Sequence, residues 1–106
     1  MKKLQLFTCS IALLASQGMF AAGKGDAAKG KEVFEQCGVC HNADSTEKKI
    51  GPGLKGVKDG KLPSGKPATH DVILPIINKG GGDMPPFGAV LNDQEKEDVI
   101  AYVLTL

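Results

Sequence analysis

Cys37-Gly38-Val39-Cys40-His41 decides how the rest of this sequence is read. Two thiols three positions apart can each add to a vinyl group on one porphyrin edge, giving two thioether bonds. The next residue, His41, then lies under the iron and offers an imidazole nitrogen. The pattern implies a covalently attached haem. Other chemistries draw on the same residues. A thiol redox pair expects a βαβ setting, and the flanking sequence offers none. Zinc could take His41 and His70 beside the thiols, although structural zinc usually has four ligands in two paired clusters. A plain disulfide requires only export to an oxidising compartment.

Export is what the upstream residues imply. Lys2 and Lys3 precede a mostly apolar run, Leu4 to Ala15, broken by Gln5, Thr8 and Ser10. Small residues follow at Ala21, Ala22 and Gly23. This order reads as a secretory signal peptide over residues 1–22. The apolar run is too short for a permanent membrane anchor. Cleavage after Ala22 is expected, with Ala21 and Gly23 as neighbouring alternatives, and Cys9 leaves with the signal. The competing reading is an amphipathic or buried N-terminal helix. The signal leaves residues 23–106 as one domain, and a bacterial periplasm is the expected compartment. A thylakoid lumen fits less well, because no transit peptide precedes the signal.

Of the 106 residues, the signal holds two of the 13 Lys and Arg and none of the 12 Asp and Glu. The remainder carries 11 basic against 12 acidic residues, a formal charge of −1 before any cofactor. Arg is absent, so nothing suggests a nucleic-acid face. Such a short domain is poor in core and needs a staple. After the signal its only aromatics are Phe34, Phe87 and Tyr102. All six prolines lie between Pro52 and Pro86, and nine of the 14 glycines lie between residues 51 and 88. A segment so rich in turn-formers cannot pack on itself. It is either disordered or wrapped around something large and apolar.

Three segments carry a helical pattern, and none alternates well enough for a strand. Asp26 to Gln36 places Ala27, Gly30, Val33 and Phe34 near one face, with Asp26 as cap or in the first turn. His70 to Lys79 has Thr69 to cap it and Gly80 to end it. Pro75 inside it is expected to remove a backbone bond and kink the helix. Asp93 to Thr105 starts with a capping-box variant, Asn92 and Glu95. It repeats apolar residues at Val99, Tyr102, Val103 and Leu106.

A haem iron that only carries electrons needs a second axial ligand. Once the signal is removed, Met84 is the single methionine. It sits in Gly80-Gly81-Gly82-Asp83-Met84-Pro85-Pro86-Phe87-Gly88, where glycines let backbone approach a porphyrin and prolines stiffen the exit. A thioether opposite His41 raises the reduction potential. The alternative for a lone methionine is core filler. His70 is the competing ligand, but its place at a helix start suggests an exposed side chain. Gly51-Pro52-Gly53-Leu54 supplies one further candidate. A metal-bound imidazole usually donates its other N–H, and the Pro52 carbonyl is the expected acceptor. Without the haem motif this would read as an ordinary turn.

Together these residues resemble the class I cytochromes c, in the small soluble bacterial monohaem form, along the whole chain after the signal. The resemblance rests on Gly30 and Phe34 before Cys37-Gly38-Val39-Cys40-His41, on Gly51-Pro52-Gly53-Leu54, on Met84-Pro85-Pro86-Phe87, and on Tyr102. It implies an all-α cytochrome c fold, with three main helices and loops around one covalent haem c. It also implies that Gly30 and Phe34 meet Tyr102 where the first and last helices cross. Cys37 and Cys40 are then the thioether residues, His41 and Met84 the axial ligands, and Pro52 the partner of His41. The departures are Pro75 and the loop from Asp59 to Pro67, whose shape the sequence leaves open.

The function this implies is outer-sphere transfer of single electrons between redox partners of a respiratory or related chain, without catalysis. Between Lys48 and Gly80 seven lysines face two aspartates, a local +5. Such a run would steer the protein toward partners with acidic docking surfaces, or it is simply a solvated face. A monomer is expected. Two alternatives remain: an electron-relay subunit of a larger oxidoreductase complex, and a haem peroxidase or ligand sensor with a labile Met84.

Overall fold

A computed structural model describes residues 25–106; the signal peptide expected over residues 1–22 lies outside them. Three α-helices form the frame: α1 (Ala27–Val33), α2 (His70–Lys79) and α3 (Asp93–Val103). Short 3₁₀ turns occupy Phe34–Val39 and Val57–Asp59. No strand occurs among the described residues, only isolated bridges at Lys61–Pro67 and Gly81–Met84.

Each helix begins where a side chain satisfies its free N–H groups. Asp26 caps α1 through Ala28 N and Lys29 N, and Thr69 caps α2 through Val72 N. Asn92 and Glu95 complete a reciprocal capping box on α3, which satisfies two otherwise unpartnered donors. Acidic residues in the first turn of α3, Asp93 and Glu95, complement the helix dipole.

One expectation changes. The first helix stops at Val33 instead of Gln36, and the chain tightens into a 3₁₀ turn through the Cys-x-x-Cys. In a 3₁₀ turn side chains at i and i+3 eclipse, which suits two thiols that must reach one edge. Pro75 lies inside α2, which extends from His70 to Lys79, and removes one backbone bond as expected. The carbonyl that loses its partner belongs to Asp71, an exposed residue of the first turn. The loop after Asp59 is a narrow turn closed by Leu62 N to Lys66 O at 2.9 Å and Ala68 N to Gly60 O at 2.9 Å.

α1 packs chiefly against α3. Gly30 is buried at that contact, where an added Cβ would run into the Asp98 carbonyl and lie 2.8 Å from Tyr102 Cβ. The close approach seats Phe34 on Tyr102, with ring centroids 5.3 Å apart and planes tilted by 59°, a favourable aromatic geometry. Asp98 is buried and accepts hydrogen bonds from Asp26 N at 2.8 Å and Gln94 Nε2 at 2.9 Å. Both donors meet Oδ1, and such bonds offset the cost of burying a carboxylate. The core holds Phe34, Val57, Ile73, Ile77, Leu91, Val99, Ile100 and Val103. Around it Leu54, Leu62, Leu74, Phe87 and Leu104 are only half-buried.

The packing at Gly30 sets a test with a diagnostic sign. In an unobstructed helix interior, Gly→Ala raises stability by about 1 kcal/mol. Here Gly30→Ala is expected to lower it by roughly 1–3 kcal/mol through overpacking. Urea unfolding of the haem-bearing protein measures this, and a stabilised variant would refute the close approach.

Candidate haem-binding site

The site is built from two stretches lying side by side, 37–42 and 49–54. The first is a turn in which Cys40 N and His41 N both donate to Cys37 O, at 3.0 and 2.9 Å. The second is joined to it at regular intervals. Lys49 Nζ donates to Gly38 O at 2.8 Å, Gly51 N to Cys40 O at 2.7 Å, and Leu54 N to Asn42 O at 2.8 Å. Between them lies a side-chain contact, His41 Nδ1 to Pro52 O at 2.8 Å.

That contact assigns the imidazole tautomer. A proline carbonyl only accepts, so Nδ1 carries the proton and donates it. Nε2 is left with its lone pair for a metal. Gly51 is required beside it, because a Cβ there would lie 2.6 Å from His41 Cε1 and 2.9 Å from Nδ1. Sequence reasoning placed Gly51 in a motif without giving it a contact, and counted Lys49 only among the partner-steering lysines. The Gly-Pro-x-Leu stretch held the signal for Gly51, while the reach of Lys49 across eleven residues had none.

Cys37 and Cys40 are both free thiols and half-buried. Burial pushes the Cys37 thiol above its ordinary range, and the adjacent Cys40 adds to the shift. Among the described residues no three His, Cys, Asp or Glu side chains gather to hold a metal ion.

Met84 lies on a separate segment, shaped by the three preceding glycines. Gly80, Gly81 and Gly82 have φ of 68°, 153° and 58°, values that side chains other than glycine rarely allow. They form a tight reversal in which Gly81 and Met84 exchange two backbone hydrogen bonds of 2.9 Å each. Beyond Met84, Phe87 N donates to Ile77 O at 2.8 Å and Gly88 N to Asn78 O at 3.2 Å. The segment is thereby tied back to the end of α2, with Met84 half-buried.

His70 is occupied elsewhere, with its side chain 41% exposed. Its Nε2 lies 2.8 and 3.0 Å from the two carboxylate oxygens of Glu97, and Nδ1 lies 3.4 Å from Asp71. The Glu97 hydrogen bond is the main reason its pKa is raised. Binding a metal would require it to give up that ion pair.

These residues fit a haem. Two thiols stand three apart, the imidazole is oriented through its far nitrogen, and the apolar side chains around the core are only half covered. Such side chains gain from an apolar occupant that removes them from water.

Comparison with known proteins places the chain in a family. A family model described as cytochrome c oxidase, cbb3-type, subunit III matches residues 25–103. Cytochrome c6 of Synechocystis sp. is 35% identical over 92 residues, covering 82% of this chain and 74% of that protein. Cytochrome c2 of Rhodomicrobium vannielii is 34% identical over 124 residues, covering 99% and 97%. The solved structure of cytochrome c6 from the diatom Phaeodactylum tricornutum superposes with a TM-score of 0.61 at 31% identity, covering 76% of this chain and 93% of that one.

The His41 contact is made to backbone, so adjacent substitutions should behave differently. Gly51→Ala is expected to reduce the yield of haem-bearing protein, because its Cβ displaces the imidazole. Pro52→Ala keeps the carbonyl and should retain most of it. Absorbance of haem per mole of purified polypeptide reads both. Equal yields from the two variants would argue against a role for the close approach.

Proposed function

The chain belongs to the cytochrome c family, as a small class I c-type cytochrome with one covalent haem, and from that premise we propose that Cys37 and Cys40 hold the haem while His41 and Met84 ligate its iron. Its function is to shuttle single electrons between redox partners. The observation that carries the ligand proposal is the hydrogen bond from His41 Nδ1 to Pro52 O. We further read residues 1–22 as a signal peptide and the bacterial periplasm as the destination.

Bound in this way, the haem supplies a one-electron Fe(III)/Fe(II) couple. The Pro52 carbonyl keeps the His41 ring in one tautomer and one orientation and raises its basicity. Met84 offers a soft thioether that favours the reduced metal and raises the potential. The half-buried apolar side chains would cover the haem and exclude water, which would keep the dielectric around the redox centre low. With His41 and Met84 both holding the iron, no position would remain for a substrate, so we read the chain as a carrier and not as an enzyme.

A second reading has one observation in its favour: the matching family model is described as an oxidase subunit. There the same domain would relay electrons inside a complex, and copurification with a larger assembly distinguishes the two. No helix among the described residues is long and apolar enough to cross a membrane.

The visible spectrum of the exported protein tests the ligand set. Haem that resists denaturing extraction, sharp reduced low-spin bands and the weak far-red band of a methionine-ligated ferric haem are expected. Met84→Ala should abolish the far-red band, lower the potential and open the iron to cyanide. Cyanide or carbon monoxide binding by the unsubstituted protein would favour a sensor or peroxidase, and absence of retained haem would overturn the proposal.

The partners we propose have acidic docking surfaces. Lys48, Lys49, Lys55, Lys58, Lys61, Lys66 and Lys79 are all exposed. Steering by such a field weakens as the Debye length falls from ~30 Å at 0.01 M to ~8 Å at physiological salt. The second-order rate of electron transfer to an acidic redox protein should fall over that range. A rate indifferent to salt would leave these lysines as a solvated face.

A further inference from the structure

We infer that Lys49 is a positioning residue of the haem-attachment loop and that its charge raises the reduction potential of the bound group; this rests on the ligand reading above. Of the contacts joining residues 37–42 to 49–54, the Lys49 contact alone is made by an ionised side chain. Its Nζ donates to Gly38 O at 2.8 Å, between the two cysteines, and its own N–H donates to Gly51 O at 2.9 Å. Lys49 therefore touches both the loop that carries the thiols and the glycine that stands against the His41 ring.

Two effects follow from this placement. A hydrogen bond from an ammonium to a carbonyl is stronger than a neutral one, so it restrains the peptide joining Cys37 to Cys40. Among the described residues, Lys49 has no carboxylate within ion-pair distance, so its charge is not cancelled locally. A fixed positive charge beside a redox centre disfavours the oxidised form, which carries one more positive charge than the reduced form. The charge favours the reduced state of a group held at Cys37 and Cys40, and the hydrogen bond fixes the loop that holds it.

The experiment compares midpoint potentials of purified haem-bearing Lys49→Gln, Lys49→Arg and, as a control, Lys58→Gln. Lys58 is equally exposed and donates no side-chain hydrogen bond to the 37–42 loop. Lys49→Gln is expected to shift the potential downward by more than Lys58→Gln, and Lys49→Arg to stay near the parent. If Lys49→Gln yields little haem-bearing protein while Lys49→Arg yields it normally, the positioning role is supported by the yield itself. A Lys49→Gln shift no larger than the control, at normal yield, overturns the inference. So does an equal loss in the Gln and Arg variants, because charge would then not be the cause. Failure of the unsubstituted protein to hold haem would instead reject the ligand reading on which the inference rests.

Discussion

One proton, on Nδ1 of His41, organises the middle of this molecule. Its donation to the Pro52 carbonyl requires the 49–54 segment to lie against the 37–42 turn. That proximity excludes a side chain at position 51 and aligns Gly51 N with Cys40 O and Leu54 N with Asn42 O. The same approach brings the Lys49 ammonium onto the cysteine loop. An acceptor without its own N–H suits this task, because the proline brings no competing donor to the junction. Orientation of the ring is therefore a backbone property, supported on both sides by backbone hydrogen bonds.

The helices serve that arrangement as a frame with little apolar material. The fully buried core is small, and much of the remaining apolar surface is only half covered. α1 and α3 close the frame through Gly30, the Phe34–Tyr102 ring pair and Asp98, which fastens the start of one helix to the other. A domain of this size gains stability from any apolar group it encloses, since such a group removes from water the surface the protein leaves uncovered. The ion pair of His70 with Glu97 adds a polar tie between α2 and α3 and keeps the second imidazole out of the site.

Much of the fold could be read from local pattern. Thr69 and the Asn92–Glu95 pair announced the starts of α2 and α3, because capping is settled within three residues. Glycine and proline content located the wrapping segments, and the Cys-x-x-Cys-His spacing singled out the attachment turn. What escaped was tertiary. The passage of α1 into a 3₁₀ turn at Phe34 leaves the apolar spacing intact, so helix periodicity does not register it. That the carbonyl freed by Pro75 belongs to an exposed Asp71 was likewise not legible. The partner of His70 was hidden because Glu97 lies 27 residues away. The contacts of Gly51 and Lys49 were not legible because nothing in a linear sequence reports that an imidazole or a carbonyl lies within 3 Å.

The link between Asp26 and Asp98 has a consequence for how the chain reaches this state. It joins residues 72 apart, so closing it gathers nearly the whole described chain into one loop. The entropy of such a closure rises only with the logarithm of loop length, but it must be surrendered before the contact returns anything. Asp98 is thus a latch set at the two ends of a long search. A covalent bond formed at Cys37 and Cys40, well inside that loop, would restrict the search and so act on the rate of folding as well as on the stability of its product.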